Sequence, residues 1–123
     1  MKFVILFVLS FGITSCHQST RQCNDFKTGN FKSQVTINDK IYISNFLRTE
    51  QLQIEKFNGK IDSSEVRWIN DCEVIFKTIN PKNRIEKKDV HLKILTTTDS
   101  SYTYEYSYVG ETKKQKGVAI KTE

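Results

Sequence analysis

Few side chains in this sequence combine a reactive type with a useful spacing. Asp71 and Glu73 stand two apart on one face of an expected strand, the arrangement a general acid and its partner would take. On an exposed strand such a pair is ordinarily solvated, and it implies no pocket. The two histidines, His17 and His91, have no ligand spacing around them for a metal and complete no serine–histidine–aspartate or cysteine–histidine set. No glycine-rich phosphate loop occurs. These residues predict no catalytic group, no metal and no cofactor, hence a protein that is not an enzyme.

The aromatic residues say more. Tyr102, Tyr104, Tyr106 and Tyr108 alternate along one strand and share one side of it. Buried tyrosines need partners for their hydroxyls, and four in a row are many for a dry core. One reading is a cavity or groove of aromatic faces and hydroxyls, suited to a lipid tail, a glycan or a peptide. The other is β-propensity with ordinary packing. Trp68, in the middle of the strongest strand, reads as a core anchor or as a ring on which a ligand stacks. Lys113, Lys114 and Lys116 form a basic loop between Gly110 and Gly117 that would touch phosphate headgroups, or only solvate a hairpin tip and blunt an edge.

The cysteines carry covalent chemistry. Lys2 precedes an apolar run, Phe3 to Phe11, interrupted only by Ser10. That run falls well short of the ~20 residues of a spanning helix and fits the core of an export signal. It leads into Ile13-Thr14-Ser15-Cys16, which resembles the lipobox of bacterial lipoproteins, with Ile13 where Leu is commonest. The resemblance implies a signal peptide over residues 1–15, cleavage before Cys16, a diacylglyceryl thioether on its thiol and a palmitate-type acyl group on its freed amine. Each buried methylene contributes roughly 0.8 kcal/mol, so three chains anchor firmly. With Cys16 lipidated, Cys23 and Cys72 remain. In an exported chain they read most simply as a disulfide, closing a loop of about 50 residues and stabilising by roughly 4 kcal/mol. Two free buried thiols are the alternative.

These residues need elements to hold them. The net charge is +5 over 123 residues, and removing Lys2 with the signal leaves +4. In an exported chain that points to anionic headgroups or acidic glycans rather than nucleic acid, or simply to a solvated basic surface. Residues 16–22 read as a polar tether and 23–123 as a single β domain. Strands are expected at 31–37, 41–47, 52–57, 66–76, 90–97, 102–109 and 117–122, with turns at Asn38-Asp39 and Asn58-Gly59. The run 66–76 places Val66, Trp68, Asn70, Cys72, Val74 and Phe76 on one inward face. Residues 79–89 break the pattern, and Asn80 with Pro81 predicts one or two helical turns there, or a charged loop. A two-residue turn at Asp99-Ser100 would pair Tyr104 with Leu95. A three-residue loop, 99–101, would pair Tyr106 with Ile94 and Tyr108 with Leu92, setting aromatics opposite aliphatics, and is preferred. The fold class is therefore all-β, an antiparallel meander of about seven strands, curled or partly closed into a barrel.

Three stretches, Cys23 to Phe31, Ser64 to Glu73 and Leu95 to Asp99, are similar to a small lipoprotein family of the Bacteroidota, chiefly flavobacteria. The similarity spans nearly the whole chain after the signal and implies the Cys23–Cys72 disulfide. Some members are labelled DNA topoisomerase IV, an activity foreign to an exported chain without a large cleavage domain and its tyrosine motif. Gly29-Asn30-Phe31 resembles the opening of lipocalin-like barrels, with Phe31 in place of a tryptophan. Surface-sent flavobacterial lipoproteins carry acidic residues after the lipidated cysteine. Here His17 to Arg21 has none, which implies an outer-membrane anchor facing the periplasm. The expectation is an envelope lipoprotein, held to the membrane by its lipid, that binds a lipid or small amphiphile through Trp68 and the tyrosines. The alternative is a module that docks on another envelope protein. Nucleic acid is not expected as a partner.

Overall fold

The computed structural model describes residues 20–122. The signal segment, the lipidation site Cys16 and residues 17–19 of the tether lie outside the described residues. Eight antiparallel strands follow one another: β1 (Gly29–Ile37), β2 (Lys40–Arg48), β3 (Leu52–Phe57), β4 (Lys60–Asn70), β5 (Glu73–Thr78), β6 (Val90–Thr97), β7 (Ser101–Tyr108) and β8 (Gln115–Lys121). Each pairs with the next, and β8 pairs back onto β1 to close the barrel. Closure leaves no sheet edge, which removes the main hazard of an all-β chain.

The tight turns explain two of the hairpins. Asn38, Asp39, Asn58 and Gly59 all have positive φ, the geometry of two-residue turns whose twist matches the strands they join. The expected run 66–76 is a hairpin rather than one strand. Asp71 and Cys72 form its turn, and the Asn70 side-chain oxygen accepts a bond from the Cys72 N–H at 3.0 Å. A bulge between Trp68 and Asn70 then shifts the register by one. That shift restores the alternation, so Val66 and Trp68 oppose Phe76 and Val74 on the inner face. The period-two pattern therefore runs through a reversal of the chain without a break, and eight strands stand where seven were expected.

The β6–β7 hairpin uses the same device. Its turn is the two-residue one at Asp99-Ser100, with the Thr98 N–H bonded to the Ser101 carbonyl at 2.8 Å. The preferred three-residue loop is absent. A bulge at Leu95 does the work instead, and Leu92 pairs with Tyr106 and Ile94 with Tyr104. Aromatics stand opposite aliphatics, as expected, by a different route. Residues 79–89 form a charged loop with no full helix but with a single helical-type turn, in which the Lys87 N–H donates to the Asn83 carbonyl at 3.3 Å. Asn80 has positive φ, and the turn there is capped by Asn83, whose side-chain oxygen accepts from the Glu86 N–H at 2.8 Å.

The two ends of the barrel differ. At one end a 3-10 helix, Cys23–Phe26, lies across the opening, tied to the β4–β5 turn by the Cys23–Cys72 disulfide, with Cα atoms 5.2 Å apart. The chain before it is bonded down too. Arg21 donates to the Ile94 carbonyl at 2.8 Å, and the Gln22 N–H to the Thr97 hydroxyl at 2.8 Å. Phe26, Phe31, Phe46, Val74, Ile94, Tyr102 and Ala119 fill this end as a continuous core. The opposite end carries the two tight turns and the 79–89 segment, and its interior is not filled.

Candidate ligand-binding cavity

The closed end is built around a charge. Alternation along β2 turns Tyr42, Ser44, Phe46 and Arg48 inward, and Arg48 is 1% exposed. Its guanidinium donates to the Phe26 carbonyl at 3.0 Å, the Tyr102 hydroxyl at 3.0 Å and the Gln53 side-chain oxygen at 2.8 Å. The rings of Phe31, Phe46, Trp68, Phe76 and Tyr102 surround it, with centroids 5.0–6.0 Å away. Among the described residues no carboxylate contacts it. A planar, weakly hydrated cation tolerates this setting because ring faces and neutral acceptors replace water. Arg48 pins the 3-10 helix to the sheet, and through Gln53, which lines the open half, it braces the floor beneath that half. It escaped the sequence reading, although the inward phase of Phe46 marks it.

Above that floor lies a cavity of about 460 Å³, within the range of about 300–1,000 Å³ usual for small-molecule sites. Phe76, Leu92 and Tyr104 bridge the filled core and the cavity. Tyr106, Tyr108 and Val90 form one wall. Ser44, Gln53, Glu55, Asp62 and Ser64, from β2, β3 and β4, form the facing one. Ile37, Tyr42, Phe57 and Ile85 surround the mouth. The segment that bears Ile85 is held in place by Lys60, which reaches Glu86 at 3.1 Å, and by Lys88, which reaches Glu111 at 2.8 Å.

The expected ligand-binding residues divide between the two halves. Tyr104, Tyr106 and Tyr108 line the cavity, whereas Trp68 and Tyr102 sit at the closed end against Arg48. The Tyr104 hydroxyl is hydrogen-bonded to Ser33, and Gly117 on the neighbouring strand leaves room for the ring to cross it. Burial pushes the Tyr102, Tyr104 and Tyr106 phenols up, so they stay neutral. The indole N–H of Trp68 is buried and has no hydrogen-bond partner among the described residues. Cys72, although in a turn, packs against the core beside Trp68 as expected, whereas Asn70 is exposed and does not extend the inward face.

Glu55 is the other residue the sequence reading missed. Burial, and then the nearby Asp62 carboxylate, push its carboxyl up. Residues 55 and 62 are direct partners across β3 and β4. Asp71 and Glu73, by contrast, lie outside the cavity and do not share a strand. Asp71 is in the β4–β5 turn near Lys27 at 3.4 Å, and Glu73 is held by Asn70 at 2.6 Å and His91 at 3.2 Å. Those bonds, the Asn70 amide first, hold the Glu73 carboxyl below its usual range. In the basic loop Lys114 pairs with Glu105 at 3.3 Å, and Lys116 belongs to β8. Among the described residues no group of three His, Cys, Asp or Glu side chains is placed to hold a metal ion. No protein-family model, curated protein or solved structure matches this chain.

Proposed function

We propose that this protein is a lipid-anchored component of the bacterial cell envelope whose barrel binds a hydrophobic or amphipathic molecule without transforming it. The observation that carries the binding reading is the asymmetric interior: one half packed and braced by Arg48, the other a cavity walled by tyrosines and aliphatic side chains. A rigid closed barrel with one plugged end holds a site in shape at little entropic cost on binding. The anchor rests on the order of Lys2, the apolar run and Ile13-Thr14-Ser15-Cys16. An outer-membrane position facing the periplasm follows from the resemblance described above. The Cys23–Cys72 bond fits an oxidising compartment.

A second reading, docking on another envelope protein, is favoured by a different feature. Ile41, Ile43, Leu47, Leu52, Ile54 and Ile61 are 41–64% exposed on the outer faces of β2, β3 and β4. Leu47 and Ile54 are direct partners across β2 and β3, and exposed aliphatics gathered on one side of a sheet mark contact surfaces.

Native mass spectrometry separates the two readings. Residues 17–123, purified with the disulfide formed, are expected to retain an amphiphile from the host or take up one supplied, at one per chain. Tyr106→Ala should weaken that binding about tenfold or more by removing a wall of the cavity. A protein that takes up no member of a panel of fatty acids, amines and lysolipids would instead favour docking.

A further inference from the structure

The cavity has the opposite charge to the molecule around it. Three carboxylates line it, those of Glu55, Asp62 and Glu86, against the single ammonium of Lys88, in a chain whose net charge is +5. Their partners differ. Glu86 is bonded to Lys60 at 3.1 Å and accepts from the Lys82 N–H at 2.6 Å. Asp62 has the same Lys60 at 3.8 Å. Lys88 is taken up by Glu111 at 2.8 Å and lies over the Tyr108 ring at 5.2 Å. Glu55 has no cation beside it among the described residues. The influences on it are burial and a second negative charge, both of which oppose its ionisation.

The rings complete the setting. Tyr104 and Tyr106 are 6.0 Å apart by centroids on β7, and Tyr42 and Phe57 are 6.1 Å apart at the mouth. Aromatic faces attract an organic cation through their quadrupoles, more strongly where water is excluded. An acid that lacks a partner, set among such faces, is satisfied by a bound ammonium. A carboxylate-headed ligand would meet the reverse, since the one ammonium in the lining is already paired.

We infer that the ligand of this cavity is a small amphiphile with a cationic nitrogen, its apolar body against Leu92, Val90 and the tyrosines and its ammonium at Glu55 and Asp62. This inference rests on the binding reading given above and adds the sign of the head group. It also makes a fatty acid the wrong ligand. The volume suits one drug-sized molecule.

A matched set of probes tests it: 4-phenylbutylamine, 4-phenylbutanol and 4-phenylbutyrate, which share one body and differ in head charge. Each would be titrated calorimetrically into the full chain held in lipid nanodiscs, with protein-free discs as the blank. The amine should bind about tenfold tighter than the alcohol, and the alcohol tighter than the acid. In Glu55→Gln the ratio of amine to acid affinity should fall at least about fivefold. Raised salt should lower the amine's advantage in the unaltered protein, a check that needs no variant. If the acid binds as well as the amine, the inference is overturned while amphiphile binding stands. If none of the three binds above the blank, amphiphile binding fails as well.

Discussion

Glu55 and Arg48 show how one chain places like-sized charges in opposite settings. Arg48 is buried yet satisfied by three neutral acceptors and a ring of aromatic faces. Glu55 is enclosed, and the charge beside it among the described residues is another acid, Asp62. Its raised carboxyl has a consequence for stability. A folded state that holds this proton more tightly than the unfolded chain gains stability from it below the ordinary glutamate range and loses that gain as pH rises through the raised value. Asp62 on β4 and Tyr104 and Tyr106 on β7 are the titratable groups around it, and the phenols stay neutral across this window. Glu55→Gln should therefore raise the denaturation midpoint at pH 7, and the difference should shrink toward zero as pH falls below the ordinary carboxylate range. Urea titrations at a series of pH values read this directly. An unchanged midpoint at pH 7 would mean that Glu55 is well solvated. Arg48 could have been found from the inward phase of Phe46 two residues before it, but Glu55 could not. On β2 and β3 the usual polarity is inverted, with Ile41, Ile43 and Ile54 outside and Ser44, Gln53 and Glu55 inside. Alternation fixes which residues share a face, but not which face looks inward.

At the scale of the elements, two of the three hairpins of the closed end, β4–β5 and β6–β7, share a design. Each has a bulge followed by a two-residue turn, the bulge at 69 in β4 and at 95 in β6, and each bulge brings the inner faces back into phase. The sequence carried the consequence without the cause. It showed the inward tyrosines and the alternation around Trp68, but a bulge leaves no residue signature when its extra residue is an ordinary isoleucine or leucine. The turns at Asn38-Asp39 and Asn58-Gly59 were legible because they require positive φ, which few residue types tolerate. The β7–β8 pair holds a further constraint. Gly117 is the partner of Tyr104, and a Cβ there would stand 2.5 Å from the Tyr104 hydroxyl and 2.9 Å from Val35. Gly117→Ala should destabilise the barrel by about 1–3 kcal/mol through overpacking. It should also push Tyr104 off its bond to Ser33, narrowing the cavity from one wall. A loss well under 1 kcal/mol in a urea titration would show that the ring moves aside freely.

As a whole molecule, this barrel divides its interior between stability and vacancy. The disulfide, the 3-10 helix and the aromatic core concentrate at one end. Closing the 49-residue separation between Cys23 and Cys72 contributes roughly 4 kcal/mol in the chain-entropy view. The other end spends little side-chain volume and is framed by turns and by a segment held through ion pairs. The all-β class and the antiparallel order were readable from strand periodicity. The tendency of so long a meander to curl toward a barrel was readable too, and the barrel is fully closed. The division of the interior was not, because it depends on which side chains meet across the barrel. The most direct measurement is titration of residues 17–123 with the uncharged fluorophore N-phenyl-1-naphthylamine, comparing the unaltered chain with Ser44→Trp. Ser44 lines the cavity, so an indole there fills it from within while leaving the closed end alone. Saturable enhancement at one site per chain, abolished by Ser44→Trp in a variant that keeps its disulfide and its cooperative unfolding, is the result predicted here. Binding that persists undiminished in that folded variant would place the fluorophore on the outer aliphatic face and contradict a ligand-binding interior.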